Sequence, residues 1–166
     1  MKVDLNGKVA IVTGGGGVLC AVMAKAIAAC GAKVAILDLR EEAAQKVADE
    51  ITAEGGVAIG VACNVLEKES LEAAREEINA KIGTCDILIN GAGGNHPSGN
   101  TTKEKFEMCD LENKAEDVKT FFDLDPKGIE FVFNLNFLGT LIPTQVFARD
   151  MAEKENTCIV MVTSMN

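Results

Sequence analysis

The sequence predicts an α/β fold: a doubly wound parallel sheet with helices on both faces, three layers deep. Three observations predict it. Strand-like apolar segments alternate with helical ones along most of the 166 residues, the pattern of a parallel sheet built from crossover helices. Four consecutive glycines, Gly14 to Gly17, follow directly on the first apolar segment, Val9-Ala10-Ile11-Val12-Thr13. A second apolar segment, from Lys33 to Leu37, ends on an acid, Asp38.

The elements can be placed in order. A first strand spans about 8–12 and a first helix about 18–29, with Gly31 placed to end it. The second strand is 33–37. The next helix, 41–54, carries Ala44, Val47, Ala48 and Ile51 at helical spacing and stops at Gly55-Gly56. The third strand is 57–61. A charged amphipathic helix follows at 67–82, with Leu71, Ala74 and Ile78 on one face. The fourth strand, 86–89, leads into Asn90-Gly91-Ala92-Gly93-Gly94. Periodicity is lost from 95 to 127, which predicts an inserted loop region with short helical pieces. A long helix is expected over 128–152, bent by Pro143, which removes one helical hydrogen bond. The last strand is 158–162. All of this is read as one domain, 1–166.

The turn after the first strand carries the chemistry. Glycines let the backbone close on a pyrophosphate where a side chain would keep it away. The following helix offers free N–H groups and the positive end of its dipole to that anion. An acid at the end of the second strand accepts hydrogen bonds from ribose hydroxyls and repels a 2′-phosphate. Asp38 therefore points to NAD over NADP.

Composition narrows the partners. Sixteen Lys and Arg against 25 Asp and Glu give a net charge of −9, which argues against nucleic acid and anionic membrane surfaces as partners. No run of about 18 apolar residues is present, so no membrane span is expected. The six cysteines have no CxxC spacing and imply reduced thiols in a cytoplasmic setting. With His96 the sole histidine, no metal site is expected. Lys103 and Lys105 are solvated by default, although either could attract a carboxylate. His96 is expected on a loop surface.

These elements, in this order, resemble the short-chain dehydrogenase/reductase family. The match is carried by Thr13-Gly14-Gly15-Gly16-Gly17-Val18-Leu19-Cys20, Asp38, Asn64-Val65, Asn90-Gly91-Ala92-Gly93, Leu135-Asn136-Phe137-Leu138-Gly139 and Ser164. The resemblance implies a Rossmann-like sheet with NAD held by Gly14, Gly16, Gly17, Val18, Leu19, Asp38, Asn64, Val65, Asn90, Gly91, Ala92 and Gly93. It implies that Ser164 holds the substrate oxygen and that Asn136 positions a water in a proton path. Four positions depart from the family pattern: Val18 and Cys20 replace glycines, Asn64 replaces an aspartate, and Gly91 replaces an asparagine. More narrowly, the strings 13–20, 89–95, 119–126, 133–140 and 143–148 are similar to bacterial NAD-dependent D-mannonate oxidoreductases. That likeness implies a sugar-acid substrate, with another polyol or keto-sugar such as a gluconate as the alternative.

The family's general acid/base is a tyrosine with a nearby lysine, placed beyond the serine. The chain has no tyrosine at all. The expectation is a piece of an enzyme of roughly 270 residues, inactive by itself and able at most to bind NAD. Family members associate through the long helix and its neighbour, so a homo-oligomer, tetramer or dimer, is expected.

Overall fold

The computed structural model describes residues 3–111 and 115–163. Five parallel strands form one sheet in the order β3-β2-β1-β4-β5. They are β1 Val9–Thr13, β2 Lys33–Asp38, β3 Val57–Ala62, β4 Ile87–Asn90 and β5 Cys158–Met161. Helices α1 Val18–Ala29, α2 Glu41–Ala53 and α3 Lys68–Lys81 cross between the first four strands. The expected elements are all present, with ends shifted by one or two residues.

Every residue of β1 is buried, so its alternation feeds two separate cores. Val9 and Ile11 point to the face covered by α3 and the last helix, beside Leu71, Ile78, Leu88 and Phe147. Ala10 and Val12 point to the other face, beside Ala24, Ala28, Val47 and Ile51 of α1 and α2. This two-sided burial is why the central strands read as continuous apolar runs. Phe147 is fully buried, a contribution of about 1.5–3 kcal/mol for such a side chain. At the outer edge, β5 pairs with β4 alone among the described residues, and all four of its residues are exposed.

The strand order reverses beside β1, since β2 lies on one side and β4 on the other. Crossovers therefore leave β1 and β4 in opposite directions, and a crevice opens outside their carboxyl ends.

The 95–127 segment has structure of its own. Short 3₁₀ turns form at Met108–Leu111 and Phe121–Asp123. The second has reciprocal capping: Thr120 accepts from Phe122 N–H, and Asp123 takes the Thr120 N–H at 2.9 Å. The strands of this loop meet where Thr102 N–H donates to Lys119 O at 3.0 Å and Lys119 N–H donates to Thr102 Oγ1 at 2.8 Å.

The long helix differs from expectation in two ways. It begins earlier, with α4 at Pro126–Phe133, because Pro126 takes the first helical position and Asp125 caps it by accepting from Lys127 N–H at 3.0 Å. Proline fits there since its missing N–H has no helical role at that position. The irregularity lies ahead of Pro143, in a π-helical turn at Asn134–Leu138 that leads into α5, Gly139–Met151. The 26-residue run Pro126–Met151 is long and apolar enough, by length and composition, to cross a bilayer. Here its Val146, Phe147 and Met151 sit in the core against the sheet and α3. Arg75 of α3 grips Asp150 of α5 with Nε 3.0 Å from both carboxylate oxygens.

Asp86 anchors the opposite, amino-terminal edge of the sheet. It accepts from Val9 N–H at 2.9 Å and from Lys154 Nζ at 3.2 Å, with Lys8 Nζ 3.6 Å away. Burial opposes its charge, but the Val9 N–H and the two ammonium groups outweigh that and hold the carboxyl below the ordinary carboxylate value. A depressed value stabilises the fold above the unfolded pKa, and the contribution is lost as pH falls through the folded one. Asp86→Asn should therefore cost about 1–2 kcal/mol at neutral pH. The gap from wild type should hold down to roughly pH 5 and close below roughly pH 4. Urea midpoints measured across pH test this; a gap that widens on acidification contradicts it.

Candidate functional site

The crevice is walled by two loops in direct backbone contact. Gly14 has φ +64°, and a Cβ there would stand 2.9 Å from Ala92 Cα. Only glycine suits both the left-handed backbone and the closeness. Gly17 caps α1 in extended conformation with no side-chain partner, and the first turn carries no acid. The opening N–H groups of α1, at Val18, Leu19 and Cys20, have no helical acceptors. They can receive an anion. Val18 and Leu19 are exposed beside them, at 89% and 58%.

Asp38, at the end of β2, closes on this turn. Its Oδ2 accepts from Gly16 N–H at 3.1 Å and its Oδ1 accepts from Arg40 N–H at 3.0 Å. The Arg40 Nε is 3.7 Å away. A Cβ on Gly16 would lie 2.8 Å from Asp38 Oδ2, so the glycine is what lets the carboxylate reach the turn. Acid and anion site are thus one structure, fixed by two backbone amides.

On the β4 side the organising group is Thr13, which sequence reasoning did not single out. Its buried hydroxyl accepts from Gly91 N–H at 3.1 Å and Ala92 N–H at 3.2 Å. Its position as the last residue of β1, just before the glycines, was the available signal. Asn90 is 1% exposed, and its Nδ2 donates to Thr144 Oγ1 of α5 at 2.9 Å. That bond ties the end of β4 to α5. Val65 is buried against Gly139, where a Cβ would meet its Cγ2 at 3.1 Å. Asn64 turns its amide inward to the chain: Oδ1 accepts from Leu66 N–H at 3.1 Å and Nδ2 donates to Glu67 at 2.8 Å.

Two departures from the family pattern meet each other. A Cβ added at Gly91 would run into Cys20 Sγ. The bulk gained at Cys20 fills the room vacated at Gly91. Burial, and then the charge of Asp38, push the Cys20 thiol up, so it stays neutral beside the anion site.

Gly93 and Gly94 lie against the π turn. Asn136 Oδ1 accepts from Gly94 N–H at 3.1 Å, and its Nδ2 donates to Gly94 O at 2.8 Å and Val132 O at 2.7 Å. Gly14, Gly16, Gly17, Val18, Leu19, Asp38, Gly91, Ala92, Gly93 and Asn136 are thereby gathered along one edge. Ser164 lies outside the described residues.

Lys103 is not a free cation. Its ammonium contacts Asp110 at 2.8 Å and Glu107 at 2.7 Å, which raise its pKa. Among the described residues one group, Glu107, Cys109 and Asp110, has metal-ligand geometry, but two of its members already hold that ammonium. The buried Cys85 thiol is pushed up to about 12, chiefly by burial.

A family model described as short chain dehydrogenase matches residues 8–166. An uncharacterised oxidoreductase of Haemophilus influenzae is 53% identical over 98% of this chain and 56% of its own length. An uncharacterised oxidoreductase of Bacillus subtilis, UxuB, is 44% identical over the same shares. A crystal structure from Haemophilus influenzae, provisionally assigned as a D-mannonate oxidoreductase and holding NAD, superposes with a TM-score of 0.90. It is 51% identical and covers 96% of this chain and 55% of its own. The chain spans about half the length of the curated relatives it matches.

The Cys20–Gly91 pair can be tested by a double-mutant cycle in urea. Gly91→Ala alone should destabilise by about 2 kcal/mol through overpacking. Combined with Cys20→Ala, most of that cost should vanish. Additive losses would mean that the two sites are independent.

Proposed function

The chain belongs to the short-chain dehydrogenase family, and from that membership we propose that its protein is an NAD-dependent oxidoreductase acting on a sugar acid, interconverting D-mannonate and D-fructuronate. The observation that carries the cofactor half is Asp38, held between the Gly16 and Arg40 amides beside the uncapped start of α1. The α1 N–H groups suit a diphosphate, and the Asp38 carboxylate suits the ribose hydroxyls beside it. Gly14 and Gly16 keep the floor free of side chains. The substrate half is supported by the NAD-holding Haemophilus influenzae structure and its provisional assignment.

When bound, NAD supplies the hydride acceptor at its nicotinamide. The chain's own residues do the rest of the work assigned to them here. Asp38 selects a 2′-hydroxyl over a 2′-phosphate by charge. The N–H groups of Val18 and Leu19 face the diphosphate. The 91–94 loop, fixed by Thr13 and Asn136, walls the nicotinamide side and excludes water. Ser164 orients the substrate hydroxyl, and Asn136 holds the water of the proton path. Asn64 lies at the adenine end. The proton itself goes to a tyrosine that these 166 residues do not contain.

The protein works in the cytoplasm as a homo-oligomer. The face of the long helix that carries Phe133 and Phe137, 68% and 65% exposed, supplies the contact. The second reading keeps the cofactor and changes the substrate to another polyol or keto-sugar. It differs only in the part of the pocket that meets the carboxylate.

Three outcomes follow. Asp38→Ala in the full-length protein should lower the preference for NAD over NADP by about tenfold or more, read from kcat/KM with each coenzyme; an unchanged ratio removes Asp38 from the role. A substrate panel should give NAD reduction with D-mannonate, whereas activity confined to neutral polyols favours the second reading. The 166 residues alone should reduce no NAD with any of these substrates, and measurable turnover would contradict the need for a tyrosine.

A further inference from the structure

We propose that His96, with the Lys119 ammonium beside it, is the group that reads the substrate's carboxylate; this rests on the sugar-acid reading above. The residues 93–99 run along α4 as a strap. At one end Gly94 is bonded in both directions to Asn136. In the middle the His96 ring lies against Phe131, with centroids 5.1 Å apart. At the other end the backbones touch: a Cβ on Gly99 would stand 2.9 Å from Gly128 O, and Asp125 N–H donates to Ser98 O at 3.0 Å. The strap therefore leaves the carboxyl edge of β4, where open α/β sheets take their ligands, and carries His96 along it in one orientation.

Ser98 fixes which ring nitrogen is offered. Its backbone N–H, which can only donate, points at His96 Nδ1 at 3.3 Å, and its hydroxyl is 2.7 Å from the same atom. Nδ1 is thereby assigned as the acceptor, which places the proton of the neutral ring on Nε2. Among the described residues, Nε2 has no partner, so the side chain presents one N–H donor with its ring already immobilised. Preorganisation of this kind lowers the entropic cost of binding a ligand oxygen.

Lys119 brings charge to the same strap. Its Nζ donates to Pro97 O at 3.2 Å, the residue next to His96. Among the described residues no carboxylate pairs with it, in contrast to Lys103, whose ammonium is held by Asp110 and Glu107. A fixed N–H donor with an uncompensated ammonium nearby suits an anionic oxygen better than a hydroxyl, because a charge-assisted bond is the stronger one. The site that results distinguishes a sugar acid from the corresponding neutral polyol.

The test uses the full-length enzyme with NAD. His96→Ala should raise KM for D-mannonate by roughly tenfold or more, the loss of one bond to a charged group. It should leave kcat, NADH binding and the KM for D-mannitol, which lacks the carboxylate, nearly unchanged. His96→Gln, which keeps an N–H donor at similar reach, should recover most of the loss, and Lys119→Met should raise the same KM. In nitrogen-15 spectra of the full-length enzyme the imidazole signal that disappears in His96→Ala identifies His96, and its Nε2 resonance should move on adding D-mannonate but not D-mannitol. Normal turnover of D-mannonate with an unmoved resonance, or with equal effects of His96→Ala on both substrates, overturns this assignment alone. Absence of turnover on any sugar acid overturns the functional reading and this assignment with it.

Discussion

One hydroxyl joins the two halves of the crevice. Thr13 ends β1, and its Oγ1 takes the N–H groups of Gly91 and Ala92 while standing 3.5 Å from Ile89 O. Crossovers on opposite faces pull the chain apart at this point, and the β1–β4 ladder ends at Thr13 and Asn90. The threonine carries the pairing one step further, through a side chain. Gly14 can then lie against Ala92 with the backbones in contact. The anion site on α1 and the loop that walls it are held at a fixed spacing because of that bond.

Departures from a family pattern are often treated one position at a time, but two of them here are a single change. Cys20 stands on α1 and Gly91 on the loop after β4, and the sulfur occupies the volume that a side chain at 91 would need. Packing density in a protein interior leaves little slack, so a larger residue on one side calls for a smaller one opposite. The tight approach of helix to loop survives the loss of a glycine because another glycine was gained. The thiol also brings no charge to the place where a diphosphate belongs, since burial and Asp38 both keep it protonated.

The segment between β4 and α4 has no periodicity in sequence, and the fold ties it down at several points. Its ends are held by Asn136 and by the Gly99–Gly128 contact, and its two arms meet at Thr102 and Lys119. The wide turn at Asn134–Leu138 places Asn136 so that one amide reaches both groups of Gly94 as well as Val132 O. Such turns occur often at functional positions because they free a backbone register for side-chain use.

The sequence by itself determined the order and type of the elements, the glycine turn and the acid that faces it. Each of these rests on periodicity or spacing among near neighbours, which the chain carries wherever it goes. Tertiary structure decided the rest. The amide of Asn90 donates to Thr144, 54 positions away. Val65 packs on Gly139, 74 positions away. Lys103 was weighed as an anion attractor and is spent on Asp110, while Lys119, unremarked in sequence, bonds Pro97 O beside His96 and meets no carboxylate among the described residues. Whether a polar residue is free or consumed depends on what the fold brings beside it. That partner is set by strand order and loop path, which local pattern does not encode.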